Sequence, residues 1–388
     1  MYVGKNVISM KKKKKKRKSN TRIDVYCFFR KCIKNNSHIY NISMNKIDSG
    51  LKLDFSNVLI RPKRSTINSR SEVNLEREFK FKHSSYIWKG VPIISANMDT
   101  TGTFEVYNEL HKHRIITAMT KFYTSEDYIE AQQKYSLDPD LFMVSTGISD
   151  NDFEKLQTIL SVVSCKWICI DVANGYIEKL VSFCRKVRGM YPDKIIVAGN
   201  VVTREMVEEL ILNGKVDVVK IGIGPGAACT TRLKTGVGMP QLSAIIECGD
   251  AAHGVGGCII GDGGITCPGD MAKAFGGGAD FVMVGGAFAG HDENPGEVEE
   301  VNGEKYKMFY GMSSQMAMEK HYGAMAKYRS SEGRQIRIKY KGALQDTVLD
   351  YLGGLRSTCT YINASTIKQM AKCTTFVQVS QQLNTIFV

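Results

Sequence analysis

The chain lacks the features that mark secreted, membrane-spanning and zinc-binding proteins. Its eleven cysteines include no Cys-x-x-Cys pair and no Cys/His cluster at zinc-ligand spacing. The longest apolar run near the start, Val25-Tyr-Cys-Phe-Phe29, is too short for the core of a signal peptide. No other run approaches the length that crosses a bilayer. These absences predict a cytoplasmic protein with reduced thiols and no membrane contact.

Excess positive charge is almost absent from the body of the chain, although the net charge is +13. Residues 1–43 hold thirteen of the 52 Lys and Arg residues and one of the 39 Asp and Glu residues. The remaining residues therefore hold 39 bases and 38 acids. A nearly neutral body without a basic face disfavours a nucleic-acid-binding protein, which is the main alternative of a different functional class.

The first 43 residues are basic, polar and aperiodic, and this composition predicts a disordered extension. The run Lys11–Lys18 is compatible with a nuclear-targeting signal or with a contact to RNA or lipid. The alternative that we favour is a solvated tail, with Met44 as the functional start. The sequence thus divides into a basic extension, residues 1–43, and one folded domain, residues 44–388.

Eight near-continuous apolar runs alternate with helix-like segments, as expected for parallel strands covered by helices. The predicted strands are Pro92–Asn97, Ile115–Met119, Phe142–Gly147, Trp167–Val172, Ile195–Asn200, Val218–Gly224, Cys258–Gly263 and Phe281–Gly286. One intervening helix is predicted from Thr203, a suitable N-cap, to Asn213. Eight such repeats predict a (β/α)₈ barrel of the TIM type, with a doubly wound open sheet as the alternative fold.

Polar residues and glycines follow most of these strands, where the active site of a barrel lies. They are Asn97, Asp99, Lys121, Asp171, Asn174, Asn200, Cys229, Asp262, Gly263, Gly264, Gly285 and Gly286. Glycines after the seventh and eighth strands suit a phosphate site, because bare backbone amides can approach an anion closely. A placement repeated after seven strands predicts a functional site at this end of the barrel.

The loop after the sixth strand, Gly222-Ile-Gly-Pro-Gly-Ala-Ala-Cys-Thr-Thr-Arg232, contains the strongest candidate for a reactive group. Its glycines permit a tight turn around a ligand or ion. Cys229 lies beside oriented amides and Arg232, surroundings that favour a nucleophilic thiolate. The alternative is an inert cysteine in a glycine-rich turn.

A segment after the eighth strand, residues about 300–342, is here called the lid segment. Its part Tyr306–Tyr340 is polar and rich in Gly, Ser and Met, and its pattern fits neither a strand nor a barrel helix. Long irregular segments of compact domains are often mobile lids, although a surface excursion without chemistry is the alternative. Short strands are predicted at Lys52–Phe55 and Val58–Ile60, and helices at Val348–Leu355 and Thr366–Lys372.

The loop Gly222–Arg232, followed by Asp262-Gly-Gly264 and Gly285-Gly286, resembles the IMP dehydrogenase/GMP reductase family over about residues 46–387. Motifs similar to those of the reductase branch are Ile60-Arg-Pro-Lys-Arg64, Ser69-Arg-Ser-Glu72, Asp171-Val-Ala-Asn-Gly-Tyr176, Ala198-Gly-Asn-Val-Val202, Tyr310-Gly-Met-Ser-Ser314 and Leu355-Arg-Ser-Thr-Cys-Thr-Tyr361. The dehydrogenase branch, which oxidises IMP to XMP with NAD, is the alternative. It usually carries a regulatory module after the second strand, whereas only about twenty residues separate Lys121 from the third strand here. Its flap also has an Arg-Tyr pair, and the nearest equivalent is His321-Tyr322.

The resemblance implies reductive deamination of GMP to IMP by NADPH, with release of ammonia, through a thioimidate on Cys229. Thr231 and Glu332 match the proton relay of the family. Substrate would be bound by Asp262, Gly263, Gly264, Gly285, Gly286, Gly311, Met312, Ser313, Arg329, Ser330, Ser331, Glu332 and Gly333. NADPH would be bound by Lys121, Asp171, Val172, Ala173, Gly224, Met312 and Arg329, and by Ser69, Arg70, Ser357, Thr358, Cys359 and Thr360 of a neighbouring subunit in a homotetramer.

A potassium ion would be held by Gly224, Gly226, Cys229 and Arg232, as the resemblance implies. Two features depart from the family pattern. Ala227 stands where the family often has a serine whose hydroxyl helps to bind phosphate. The basic extension, residues 1–43, has no counterpart in the family core.

Overall fold

The computed structural model describes residues 46–324, 328 and 330–380. The chain divides into two compact units, residues 1–51 and residues 52–388. Of the first unit only residues 46–51 are described, where the Gly50 amide donates a hydrogen bond to Asp48 Oδ1 over 2.9 Å. The predicted disordered extension and the lysine-rich run lie outside the described residues.

The chain reaches the barrel through three short strands, β1 (Val58–Ile60), β2 (Arg77–Lys80) and β3 (Ile87–Gly90). Strands β2 and β3 form an antiparallel hairpin. The strand predicted at 52–55 is wrong. The Leu53 amide donates to the Ser243 hydroxyl of a later helix over 2.8 Å, and the Leu53 carbonyl accepts from the Ser243 amide over 3.0 Å. A 3₁₀ turn follows at Phe55–Asn57. The backbone amide and carbonyl of Leu53 are therefore paired with the first turn of a helix, so they are not available to a neighbouring strand.

The eight predicted strands form a closed parallel barrel, which confirms the TIM-barrel fold and excludes the open sheet. They are β4 (Ile93–Ser95), β5 (Ile116–Ala118), β6 (Phe142–Thr146), β7 (Trp167–Asp171), β8 (Ile195–Val201), β9 (Val218–Ile221), β10 (Cys258–Asp262) and β11 (Phe281–Val284). Each strand pairs with its neighbours in sequence, and β11 closes the barrel on β4 with Val282 opposite Ile93. Because all strands point the same way, their carboxyl ends meet in one ring.

Eight α-helices of the described residues lie between β4 and β11 along the chain. They are α1 (Phe104–Leu110), α2 (Ser125–Lys134), α3 (Asp150–Val162), α4 (Glu178–Met190), α5 (Arg204–Leu212), α6 (Thr231–Thr235), α7 (Gln241–Gly254) and α8 (Pro268–Gly276). Helix α5 begins after the predicted N-cap, Thr203, and buries the predicted face of Val207, Leu210 and Ile211 completely. The Thr203 hydroxyl does not cap the helix, because it accepts a hydrogen bond from the Tyr176 hydroxyl over 3.2 Å.

Aromatic side chains close the amino-terminal end of the barrel. Phe79 and Trp88 of the β2–β3 hairpin pack on Phe281 and Trp167, the first residues of β11 and β7. The ring centroids of Phe79 and Phe281 are 4.3 Å apart, and those of Trp88 and Trp167 are 5.8 Å apart. This hydrophobic plug leaves the carboxyl-terminal end as the open face of the barrel.

The lid segment has regular structure, so the expectation that it fits neither strand nor helix is wrong. Strands β12 (Glu299–Val301), β13 (Glu304–Tyr310) and β14 (Gln335–Lys339) form an antiparallel sheet, and helix α9 spans Gln315–Tyr322. The missed signal is the alternation Gln-Ile-Arg-Ile-Lys in β14, whose Ile336 and Ile338 pack on buried Phe309. Two apolar residues make a signal too weak to predict a strand without its partner.

The chain ends with α10 (Leu344–Ile362), α11 (Met370–Cys373) and β15 (Phe376–Gln378), which pairs with β1. Helix α10 is longer at both ends than the helix predicted at 348–355 and includes the motif Leu355–Tyr361. The predicted last helix is a 3₁₀ turn that continues into α11. Among the described residues, no helix is long and apolar enough to cross a bilayer.

Candidate active site

The cysteine loop crosses the carboxyl end of the neighbouring strand β10 at close range. A Cβ atom on Gly222, the first residue of the loop, would lie 2.0 Å from the carbonyl oxygen of Asp262. Only glycine fits this crossing without moving the backbone. The loop is thereby held over the open face of the barrel, and Cys229 is partly exposed there.

A chain of hydrogen bonds connects Cys229 to a carboxylate far away in sequence. The Cys229 thiol donates to Thr231 Oγ1 over 3.3 Å. The Thr231 hydroxyl in turn donates to Glu332 Oε2 over 2.8 Å. The structure thus brings together the three residues predicted to be catalytic, in an order that places a hydroxyl between thiol and carboxylate.

Backbone hydrogen bonds fasten the lid segment to the cysteine loop and position Glu332. The Thr230 amide donates to the Glu332 carbonyl over 2.8 Å, and the Arg334 amide donates to the Ala228 carbonyl over 2.9 Å. Cys229 and Gly333 face each other across an isolated antiparallel bridge. Because its own backbone is paired, Glu332 is not a freely solvated side chain of the lid segment.

Three glycine-containing turns surround one space beside the cysteine loop. A Cβ atom on Gly263 would lie 3.0 Å from Pro225 Cγ, and one on Gly286 would lie 3.8 Å from Ala227 Cβ. The turn that ends β10 therefore meets the cysteine loop at Pro225, and the turn that ends β11 meets it at Ala227. This arrangement suits an anion, since backbone amides without side chains can approach it from several directions.

A lysine that sequence reasoning missed lies at the centre of the open face. Lys220 of β9 is almost fully buried, and its Nζ lies 2.6 Å from Asp171 Oδ1 and 3.3 Å from Asp262 Oδ2. Asn200 Nδ2 donates to the same Asp262 Oδ2 over 2.8 Å. The available signal was a lysine inside the apolar run of β9, a position where a charge requires partners.

The electrostatics of this cluster keep the charges of Lys220 and Asp171 in place. Burial alone would lower the pKa of Lys220, but the carboxylates of Asp171 and Asp262 outweigh burial and raise it. Burial would likewise raise the pKa of Asp171, whereas the charges of Lys220 and Lys121 hold it below its usual value. The ammonium and the Asp171 carboxylate are therefore both ionised at neutral pH.

A second cluster attaches helix α9 of the lid segment to the end of β4. Asp99 Oδ2 accepts hydrogen bonds from His321 Nε2 over 2.6 Å and from the Tyr310 hydroxyl over 2.9 Å. The His321 ring also stacks on Phe122, with 3.3 Å between the ring centroids. Burial raises the pKa of Asp99, but these hydrogen bonds outweigh burial and hold it below its usual value. A carboxylate of the barrel thus holds the lid segment at a second point.

Comparison with known proteins agrees with this geometry. A family model described as IMP dehydrogenase / GMP reductase domain matches residues 52–384. The chain belongs to this family. A protein named GMP reductase from Yersinia pestis (strain Pestoides F) is 58% identical over 347 residues, which cover 88% of this chain and 99% of that protein. GMP reductase from Klebsiella pneumoniae is 58% identical over 344 residues, with the same coverage. The resemblance predicted from the cysteine loop and the glycine pairs is confirmed.

The IMP dehydrogenase/GMP reductase family consists of oxidoreductases that use a nicotinamide cofactor. Of the residues predicted to bind it, Asp171 lies at the end of β7 and is close enough to Lys121 to be influenced by its charge. Met312 Sδ accepts a hydrogen bond from the Asp99 amide over 3.3 Å. Partly exposed Val172 and exposed Ala173 follow Asp171 on the open face. Arg329 lies outside the described residues.

The residues predicted to reach a neighbouring subunit's cofactor form one patch of this chain. Ser69 and Arg70 begin a 3₁₀ turn that packs against helix α10, which carries Ser357–Thr360. Ser69 and Arg70 are exposed, and Ser357, Thr358 and Thr360 are partly exposed. Cys359 is fully buried and burial raises its pKa to about 12, so its thiol faces the core and not this patch.

The residues predicted to hold a potassium ion extend from Gly224 in the cysteine loop to Arg232 in helix α6. The Gly226 carbonyl accepts from the Cys229 amide over 3.0 Å, and the Arg232 carbonyl accepts from the Gly236 amide over 3.2 Å. Each carbonyl oxygen keeps a second lone pair for a cation. Within the described part of the chain no group of three His, Cys, Asp or Glu side chains forms a metal site. A cation at this loop would therefore be bound by backbone oxygens, which suit a hard ion.

Proposed function

We propose that the protein converts GMP and NADPH to IMP, NADP⁺ and ammonia, through a covalent thioimidate on Cys229. The observation that carries the proposal is the chain of hydrogen bonds from the Cys229 thiol through Thr231 to Glu332. Deamination needs a nucleophile and a proton donor on the same side of the purine, and this chain provides both. The activity interconverts purine nucleotides.

In the first step Cys229 forms a bond to C2 of the purine through its thiolate. The bond from C2 to the 2-amino nitrogen then breaks, and its electron pair leaves with the nitrogen. The amino group is a poor leaving group unless it is protonated, so Thr231 donates a proton to it and recovers one from Glu332, which takes up a proton from solvent once per turnover. The product of this step is the thioimidate on Cys229.

The second step replaces sulfur at C2 by hydrogen. Bound NADPH supplies a hydride to C2, which carries both electrons of the new C–H bond. The C2–sulfur bond breaks and returns the thiolate to Cys229, which completes IMP. Water would compete by hydrolysing the thioimidate, so the reaction requires that water is excluded from Cys229. The lid segment is paired with the cysteine loop beside Cys229, through the backbone of Glu332 and Gly333.

The proposed substrate contacts follow the three parts of GMP. The phosphate binds the amides of Gly263, Gly264, Gly285 and Gly286. Asp262 accepts hydrogen bonds from the ribose hydroxyls. The base binds to residues of the lid segment, namely Gly311, Met312, Ser313, Arg329, Ser330, Ser331, Glu332 and Gly333. Gly311 suits this place because a Cβ atom there would lie 2.8 Å from the Ala228 carbonyl oxygen.

We propose NADPH as the cofactor, bound by Lys121, Asp171, Val172, Ala173, Gly224, Met312 and Arg329. The patch of Ser69, Arg70 and Ser357–Thr360 would complete a neighbour's cofactor site in a cytoplasmic homotetramer, with Cys359 contributing to its packing. A potassium ion would order the loop through the carbonyls of Gly224, Gly226, Cys229 and Arg232. The exposure of Ser69 and Arg70 supports an intersubunit role for this patch.

One assay tests the proposal against IMP dehydrogenase activity. The full chain is incubated with GMP and NADPH, or with IMP and NAD⁺, and the absorbance of the reduced cofactor is followed. We expect NADPH consumption with stoichiometric ammonia in the first mixture and no sustained NADH formation in the second. Multiple-turnover XMP formation from IMP would instead assign the dehydrogenase reaction. The dehydrogenase branch has an arginine in its flap where this chain has His321. The His321 side chain is engaged with Asp99 and Phe122, so no arginine at this position activates water.

Ala227→Ser is expected to tighten GMP binding. Ala227 is exposed beside Gly286, so a hydroxyl there can donate a hydrogen bond to the phosphate. A hydrogen bond to a charged group contributes about 1–2 kcal/mol, which is about five- to thirtyfold in Kd. Calorimetric titration with GMP measures the change. Guanosine, which lacks the phosphate, is the control ligand, and equal tightening of both ligands would contradict the phosphate contact.

We also propose that residues 44–388 form the catalytic domain and that the basic extension has no part in catalysis. Removal of residues 1–43 should leave kcat/KM for GMP unchanged, because every residue of the predicted site lies between Ser69 and Thr360. A fall of more than about tenfold, roughly 1.4 kcal/mol of transition-state stabilisation, would contradict this. Mass measurement of the protein from its native source tests whether the extension exists.

A further inference from the structure

We propose that Lys220 is a positioning residue that couples the two halves of the site, because it holds the Asp171 and Asp262 carboxylates in fixed orientations from between them. The inference rests on the proposed function, in which Asp262 binds the ribose of GMP and Asp171 contacts the cofactor. Lys220 itself touches neither ligand in this assignment. Its role is to keep one oxygen of each carboxylate engaged inward, so that the other oxygen faces its ligand.

The geometry assigns one oxygen of each carboxylate to this cluster. Lys220 Nζ contacts Oδ1 of Asp171 over 2.6 Å and Oδ2 of Asp262 over 3.3 Å. Asn200 Nδ2 donates to the same Oδ2 of Asp262 over 2.8 Å, and to the Gly222 carbonyl over 2.9 Å. With Oδ2 of Asp262 fixed by two donors, Oδ1 is turned away from them. It is the acceptor that a ribose hydroxyl can use.

Burial makes this ammonium hard to replace. Lys220 has a relative exposure of 2%, whereas the side chains of Asp171 and Asp262 are 26% and 20% exposed. Water therefore reaches the outer sides of the two carboxylates but does not replace the ammonium between them. Breaking a buried ion pair on one side leaves an uncompensated charge, and two nearby carboxylates without a cation repel each other. One of them would then take up a proton at a higher pH than in the native protein. A protonated, rotated Asp262 would bind ribose less well.

The direction of the expected pH effect depends on every charged or titratable group near Lys220. These are Asp171, Asp262, Lys121 and Cys169, and the neutral amides of Asn97 and Asn200 complete the surroundings. Burial raises the pKa of the Cys169 thiol to about 12, so it stays neutral. In the native protein the charges of Lys220 and Lys121 outweigh burial and hold the pKa of Asp171 below its usual value. Without Lys220, GMP binding should weaken progressively as the pH falls through neutrality.

The experiment measures GMP affinity by calorimetry, without cofactor, from pH 6 to pH 9 for the wild-type protein and three variants. Lys220→Met should weaken GMP binding by at least about tenfold, more at the acid end. Lys220→Arg keeps the charge and should restore most of the affinity. Arg188→Met is the matched control. It breaks the buried Arg188–Asp217 ion pair at the other end of the barrel, and should lower the melting temperature without changing GMP affinity or its pH dependence.

Wild-type affinity and an unchanged pH profile in Lys220→Met would overturn the proposal, as would an equal loss of affinity in Arg188→Met. If circular dichroism shows that Lys220→Met does not fold, Lys220→Gln replaces it, since glutamine keeps a donor but no charge. Wild-type affinity with an unchanged pH profile in Lys220→Gln, or an equal loss of affinity in Arg188→Met, would then overturn the proposal. Turnover of GMP by the wild-type protein is measured alongside. If the wild-type protein does not turn over GMP, the proposed function is refuted. If it does, and the Lys220 variant binds GMP with wild-type affinity and pH dependence, only the role of Lys220 is refuted.

Discussion

Replacing Cys229 by alanine is expected to abolish reduction of GMP while GMP still binds. In the proposed mechanism the sulfur of Cys229 is the atom that bonds to C2. The proposed phosphate and ribose contacts lie at the ends of β10 and β11 and do not involve sulfur. We expect turnover to fall by at least about 10⁴-fold, as when a catalytic nucleophile is removed. NADPH absorbance measures turnover, and calorimetry measures GMP affinity.

Cys267→Ala is the matched control for this substitution, because Cys267 is an exposed free cysteine at the start of helix α8 and outside the proposed site. It should behave as the wild-type protein in both measurements. Mass spectrometry of the wild-type protein quenched during turnover should also show a GMP-derived adduct on the peptide that contains Cys229. Steady-state reduction of GMP by Cys229→Ala would disprove the assignment of the nucleophile.

Replacing Glu332 by glutamine is expected to slow deamination by about 10²–10⁴-fold and to affect hydride transfer much less. Glutamine has the same shape and its amide oxygen can still accept the hydrogen bond that Thr231 donates over 2.8 Å. It cannot supply a proton, and departure of ammonia requires one. Hydride transfer between C2 and the nicotinamide requires no proton from this relay, so the two steps should respond differently.

The reverse partial reaction separates the two steps. IMP with NADP⁺ should form the thioimidate and reduced cofactor in a single turnover of Glu332→Gln, since no ammonia takes part. Stopped-flow absorbance measures this formation, and steady-state turnover of GMP measures the complete reaction. Glu319→Gln is the control, because Glu319 is an exposed carboxylate of helix α9 in the same lid segment. A variant that loses the partial reaction as severely as the complete one would refute the proton relay.

Local sequence patterns were sufficient for the barrel and for the position of its open face. Eight apolar runs of strand length predicted all eight barrel strands, because a strand buried on both sides needs apolar residues along its whole length. Glycines and polar residues at the ends of these runs located the face that carries Cys229, Asp262 and Gly285. The family resemblance then added Glu332, since nothing in its own neighbourhood in the chain indicates a partner.

Contacts between distant segments were decided only by the tertiary structure. Thr231 and Glu332 are 101 residues apart, and Lys220 meets Asp171 and Asp262 from three different strands. The strands of the lid segment likewise depend on partners as far apart as Tyr306 and Lys339. The sequence by itself determined which residues form the barrel strands, because burial imposes an apolar pattern on neighbouring residues. It did not determine that Lys220 meets Asp171 and Asp262. These residues lie on strands that are distant in sequence, and only closure of the barrel brings the strands together.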